Sequence, residues 1–144
     1  MNDPARTSSA SMAFLMLGAA HEMEAHLETA LARIGLSLAK FRALSHLADL
    51  KEPVPLSALA DRCSCVRSNM TQLVDRLEAD RLVRRVNDTA DRRCVRAALT
   101  EKGWERHAEG VRILGEMETR LFGHLQDADR EALSRLVQLL KDRD

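Results

Sequence analysis

Aromatic residues are scarce in this 144-residue chain: Phe14, Phe41, Trp104 and Phe122 are the only ones, and tyrosine does not occur. None lies in the arginine-rich stretch between Arg62 and Arg96. Binding of single-stranded nucleic acid relies on aromatic platforms on which bases stack, so that mode is excluded there. Cysteine is also sparse. Cys63, Cys65 and Cys94 are odd in number and lack framework spacing, which excludes a disulfide-stapled secreted domain. The longest apolar run, Met12 to Ala20, is too short to span a bilayer and has no basic segment ahead of it. The expectation is a soluble, reduced, cytoplasmic protein with no membrane partner. Excess charge of either sign is missing, with 22 basic and 22 acidic residues. A neutral total excludes a polybasic protein that coats nucleic acid without discrimination. Catalytic signatures are lacking too: no phosphate loop, no GxSxG, no HExxH, and no adjacent Cys–His pair. His21, His26, His46, His107 and His124 form no HxxxH pair, and no CxxC occurs, so no metal, cofactor or enzymatic activity is expected.

What is present is a core-forming composition, 45% hydrophobic, sufficient for one domain over residues 1–144. The neutral total also hides a local imbalance. From Arg62 to Arg96 nine arginines face five acids, an excess of four that the rest of the chain must cancel. Basic charge concentrated in a fraction of a neutral chain is the footprint of a local nucleic-acid surface.

Residues 1–10 are small and polar and are expected to be disordered. From Ser11, apolar residues recur at three- and four-residue intervals (Leu15, Ala19, Met23, Leu27, Leu31, Ile34), predicting a long amphipathic helix closed by Gly35. Ser37 caps a second helix carrying Phe41, Leu44, Leu47 and Leu50, which Pro53 and Pro55 stop. A short helix over 56–62, the turn Cys63-Ser64-Cys65 and a helix from about Val66 to Ala79 follow. The last has an inward face of Val66, Met70, Leu73, Val74 and Leu77. Two helices joined by so short a turn cross steeply, as in a helix-turn-helix.

The outward face of the second of these helices holds Arg67, Ser68, Asn69, Thr71, Gln72 and Arg76, side chains able to bond base edges and phosphates. Leu82 to Val86, a polar turn over 87–91, and Arg93 to Leu99 read as a two-stranded hairpin, or wing. Arg84, Arg92 and Arg93 sit on or beside it, placed for phosphate or minor-groove contact. Thr100 caps a long helix to about His124, and Asp127 caps a last one. The terminal helices, about 11–34 and 101–143, have apolar stripes that a compact core over 37–100 does not need. Their economical use is to pair two copies about a two-fold axis, which presents two recognition helices to a pseudo-palindromic duplex.

The ordered series Leu56-Ser57-Ala58-Leu59-Ala60, Met70 to Glu78, Leu82-Val83-Arg84-Arg85, Asp91-Arg92-Arg93 and Leu99-Thr100-Glu101-Lys102-Gly103 resembles the MarR family of bacterial regulators. The resemblance covers nearly the whole chain. It implies a mainly α winged helix-turn-helix, a homodimer built from the terminal helices, and a repressor of double-stranded operator DNA. It also implies that Arg93 is the wing arginine entering the minor groove and that Asp91 holds the wing through an ion pair. Many members release DNA when a small phenolic or amphipathic inducer, or an oxidant, acts on them. One departure stands out, since Arg81 occupies the position after the recognition helix where relatives often have glycine.

Two other classes are consistent with the residues. Cys63, Cys65 and Cys94 flank the turn and the wing, and a thiol near a helix N-terminus can have a lowered pKa, as a thiol-based redox protein requires. The plain alternative is that they are small buried hydrophobes. The organic-hydroperoxide repressors use a cysteine in the first helix, which this chain lacks. The second class is a winged-helix module for protein–protein contact, which the arginine cluster disfavours.

Overall fold

In the computed structural model, residues 4–88, 90, 91 and 93–143 are described, with side chains from residue 11 onward. They fall into two compact units, Met1–Val111 and Arg112–Asp144. The first holds α1 (Pro4–Ala32), α2 (Leu38–Leu50), β1 (Val54–Pro55), α3 (Leu56–Arg62), α4 (Arg67–Ala79), β2 (Val83–Asn87), β3 (Val95–Leu99) and the start of α5 (Glu101–Phe122). The second holds the rest of α5 and α6 (Asp127–Lys141).

The architecture is the mainly α winged helix-turn-helix that the sequence predicts, with differences at several element ends, α1 closing at Ala32 and β3 opening at Val95 among them. Helix α1 begins at Pro4 rather than Ser11, so residues 4–10 are helical where disorder was expected; residues 1–3 lie outside the described ones. Asp127 is the first residue of α6, not its cap, which is Gln126. Helix α5 ends at Phe122, two residues short of the expected His124. The sheet also carries a strand that the hairpin reading lacked. Its order is β1-β3-β2, all antiparallel, with Val54 opposite Ala97 and Val83 opposite Leu99.

The core of the first unit is aliphatic. Leu31, Leu44, Leu47, Leu59, Met70, Val74, Leu77, Leu82 and Val83 are almost wholly buried, drawn from α1 to α4 and the wing base. Phe41 is buried and stacks on His107 of α5 at 5.8 Å. Burial pushes the His107 pKa down, with Asp49 opposing it, so the ring that packs here is neutral near pH 7.

Three helices of this unit stop in the same way. The amide of Leu36 donates to the Leu31 carbonyl and that of Gly35 to Ala32; Cys65 and Ser64 repeat the pair on Ala60 and Asp61, and Leu82 and Arg81 on Leu77 and Glu78. Each is a Schellman ending with one left-handed residue. Those residues are Gly35, Ser64 and Arg81, at φ of 73°, 51° and 62°. Only Gly35 adopts that conformation without steric cost, about 1–2 kcal/mol for an L-residue. Arg81→Gly is therefore expected to stabilise the chain by about 0.5–1 kcal/mol, the extra unfolded-state entropy of glycine cancelling part of the relief. Thermal unfolding followed by circular dichroism should show a rise of about 2–4 °C. A fall would mean that the exposed Arg81 side chain holds a partner.

The second unit exposes apolar surface. Helix α6 has no buried residue, and Leu133, Leu136, Val137, Leu139 and Leu140 are all exposed. In the first unit, Met12, Phe14, Leu15, Met16 and Leu17 of α1 are exposed as well. No helix among the described residues is long and apolar enough to cross a membrane.

Candidate nucleic-acid interface

Two short connections position the recognition elements. The turn 63–65, closed by the Ser64 ending, leads directly from α3 into α4. At the other end Thr100 locks the wing base: its hydroxyl donates to the Arg81 carbonyl at 2.6 Å and accepts from the Gly103 amide at 3.0 Å, capping α5 as expected.

Helix α4 presents Arg67, Ser68, Asn69, Thr71, Gln72 and Arg76, all exposed, as the sequence predicted. The Thr71 hydroxyl donates to the Arg67 carbonyl one turn back, which leaves its oxygen able to accept. One member of the predicted inward face is misplaced. Val66 is the N-cap rather than a helical core residue, its backbone is extended, and its side chain is 62% exposed. A Ser, Thr, Asp or Asn there would add about 1 kcal/mol of capping, and valine makes no such bond.

The acids of α4 are exposed but paired. The Arg85 guanidinium of β2 pairs with Asp75 and, at 2.9 Å, with Glu78, while the Arg85 amide donates to the second Glu78 oxygen at 3.2 Å. The hydrogen bond to Asp75, more than any other cause, raises the Arg85 pKa further. One guanidinium thus bridges both carboxylates and offsets one of their two charges, and it ties β2 to α4. Arg84, one residue before, is exposed and has no ion-pair partner among the described residues.

At the wing, the Asp91 carboxylate accepts the Arg93 amide at 2.9 Å, while its carbonyl accepts the Cys94 amide at 3.0 Å. Among the described residues, the wing ion pair belongs to Asp88 and Arg96 at 3.1 Å, not to Asp91. The Ala90 amide, then Arg96, hold the Asp88 carboxyl below its usual range. Arg93 is exposed; Arg92 lies outside the described residues. A cavity of about 380 Å³ is bordered by both Arg67 and Arg93, so the start of α4 and the wing arginine share one groove.

The cysteines are free and half-buried. Cys63 and Cys65 line a cavity of about 350 Å³ beside Arg42, and Cys94 lines the wing groove. Burial, then Cys65, push the Cys63 thiol up against the pull of Arg42, the reverse of the lowered pKa that a redox role asks of it.

The double pairing of Arg85 escaped the sequence reading. Its trace was there: Asp75 and Glu78 stand three apart on one helix face, and a strand returns within four residues of that helix.

Residues 34–93 match the family model described as MarR family. Solved structures of similar fold span nearly the whole chain. BpsR of Bordetella bronchiseptica, whose DNA binding is regulated by 6-hydroxynicotinic acid, is 25% identical over 92% of this chain and 99% of its own, with a TM-score of 0.81. CouR of Rhodococcus jostii RHA1, bound to p-coumaroyl-CoA, is 24% identical over 94% and 95%, with a TM-score of 0.80. A mutant MarR of E. coli, complexed with operator DNA, is 18% identical over 96% and 99%, with a TM-score of 0.83. No curated protein sequence matches the chain.

Proposed function

We propose that this chain is a MarR-family winged helix-turn-helix transcription regulator and acts as a homodimeric repressor of a pseudo-palindromic operator. The observation that carries this reading is the exposed polar face of α4 from Arg67 to Arg76, beside which Arg85 pairs with Asp75 and Glu78. Asn69 and Gln72 read base edges in the major groove, while Arg67, Ser68, Thr71, Arg76 and Arg84 bond phosphates and fix the register. Arg93, with Arg92 beside it, enters the minor groove. The exposed apolar stripes of α1 and α6 support pairing of two copies, which places two recognition helices in successive major grooves. Promoter occlusion follows from occupancy.

The ligands of BpsR and CouR support an aromatic acid or its thioester as the class of inducer. Such a molecule would favour a dimer whose two helices no longer match the groove spacing.

Binding is tested by fluorescence anisotropy on the DNA upstream of the chain's own coding region, over a salt series. Affinity should fall steeply with salt, as release of counterions from phosphates requires. Arg93→Ala should weaken binding and flatten the slope of log K against log salt by about one. Unchanged affinity would remove the wing from the mechanism, and salt-indifferent binding would favour the protein-contact reading.

A further inference from the structure

Val66 is the one large apolar side chain between residues 55 and 100 that stands mainly in solvent. The other exposed large hydrophobics lie in α1, α5 and α6. Its place is specific. Val66 precedes the first helical residue, Arg67, in extended backbone and borders the same cavity of about 350 Å³ as Asn69. Val66, Asn69, Gln72 and Arg76 are all exposed. A polar residue would cap the helix there, so an apolar one forgoes a hydrogen bond and leaves methyl groups in water.

Duplex DNA offers one apolar partner in the major groove, the 5-methyl group of thymine. We infer that Val66 is a specificity-determining residue that packs against a thymine methyl at the end of each half-site, beyond the bases met by Asn69 and Gln72. The inference rests on the DNA-reading function proposed above and adds to it one base position and the chemical group read there. Burying a methyl between valine and thymine excludes water from both, whereas cytosine in that place offers a bare ring edge.

The test begins with a duplex selected by the intact protein from a random pool. Each thymine is then replaced by uracil, which deletes the methyl and keeps the pairing. Anisotropy with the wild-type chain should show a loss of about fourfold at one thymine per half-site, the worth of one buried methyl-sized group. Val66→Ser, which supplies a helix cap and so preserves the fold, should bind the thymine duplex about fourfold more weakly per half-site and should no longer distinguish thymine from uracil there. Val66→Ile should keep the discrimination. A uracil scan that is flat for the wild type, or a penalty that persists in Val66→Ser, overturns the inference while leaving DNA reading intact. Failure of the chain to enrich any duplex overturns the DNA-reading function and this inference with it.

Discussion

Gly103→Ala is expected to cost about 2 kcal/mol or more of stability, a fall in melting temperature of about 6 °C, although alanine is the better helix former. A Cβ at residue 103 would lie 2.0 Å from the Leu82 carbonyl oxygen, 3.0 Å from its carbon and 3.2 Å from Leu99 Cδ2. The oxygen is backbone and already accepts the Thr100 amide at 3.1 Å, so it cannot yield without breaking the base of the wing. Overpacking of that kind reaches about 3 kcal/mol, and the helical gain of alanine over glycine returns less than about 1 kcal/mol. Gly115→Ala, in the same helix with nothing among the described residues within 4 Å of its added methyl, is the control and should instead gain up to about 1 kcal/mol. Equal effects of the two substitutions in thermal unfolding would show that α5 does not rest on Leu82 as tightly as the geometry requires.

The second large effect concerns binding rather than stability. Arg85→Ala should leave the melting temperature almost unchanged, because partly exposed ion pairs contribute about 0–1 kcal/mol. Arg85 is 26% exposed and its partners Asp75 and Glu78 more so. Affinity for duplex should nevertheless fall roughly fivefold, since losing the one positive charge beside Asp75 and Glu78 leaves one more uncompensated carboxylate facing phosphates, at about 1 kcal/mol. Asp75→Asn with Glu78→Gln separates the causes. In that background Arg85→Ala should cost little, because nothing is left to neutralise. The same fivefold loss there would make Arg85 a DNA contact in its own right and refute the shielding role.

Much of this arrangement was legible in the sequence, for physical reasons that differ by element. Ser37 and Thr100 announce their helices because a hydroxyl before an amphipathic run has one good use, and both make the capping bond. The left-handed residue after α4 was visible through the resemblance, as arginine in a glycine position. Strand β1 was not legible. Two residues set no period, and Pro55, which lacks an amide proton, reads as a helix stop before it reads as an edge strand. Asp127 reads as a cap because a carboxylate suits both the cap and the first turn, and periodicity does not separate neighbours. Asp91, which the resemblance places in the wing, has a short side chain that accepts the amide two residues on, a contact that spacing alone does not show. Val66 was placed inside because its spacing fits the core stripe, and only the extended backbone at the cap turns it outward. The exposed face of α4 was read correctly because polar side chains between buried ones leave little choice of direction.

The small strand β1 has a mechanical consequence. It makes β3 the middle strand, held on one side by β2 and on the other by the segment that enters α3, and Arg96 of β3 also donates to the Pro53 carbonyl at 3.4 Å. The chain leading into the helix-turn-helix is thus stitched to the hairpin, and Arg85 stitches the hairpin again to α4. A wing joined only through its own base could pivot as a flap. This one is braced at both edges, so a push on α3 or α4 carries the wing with it, and helix and wing move as a single lever arm.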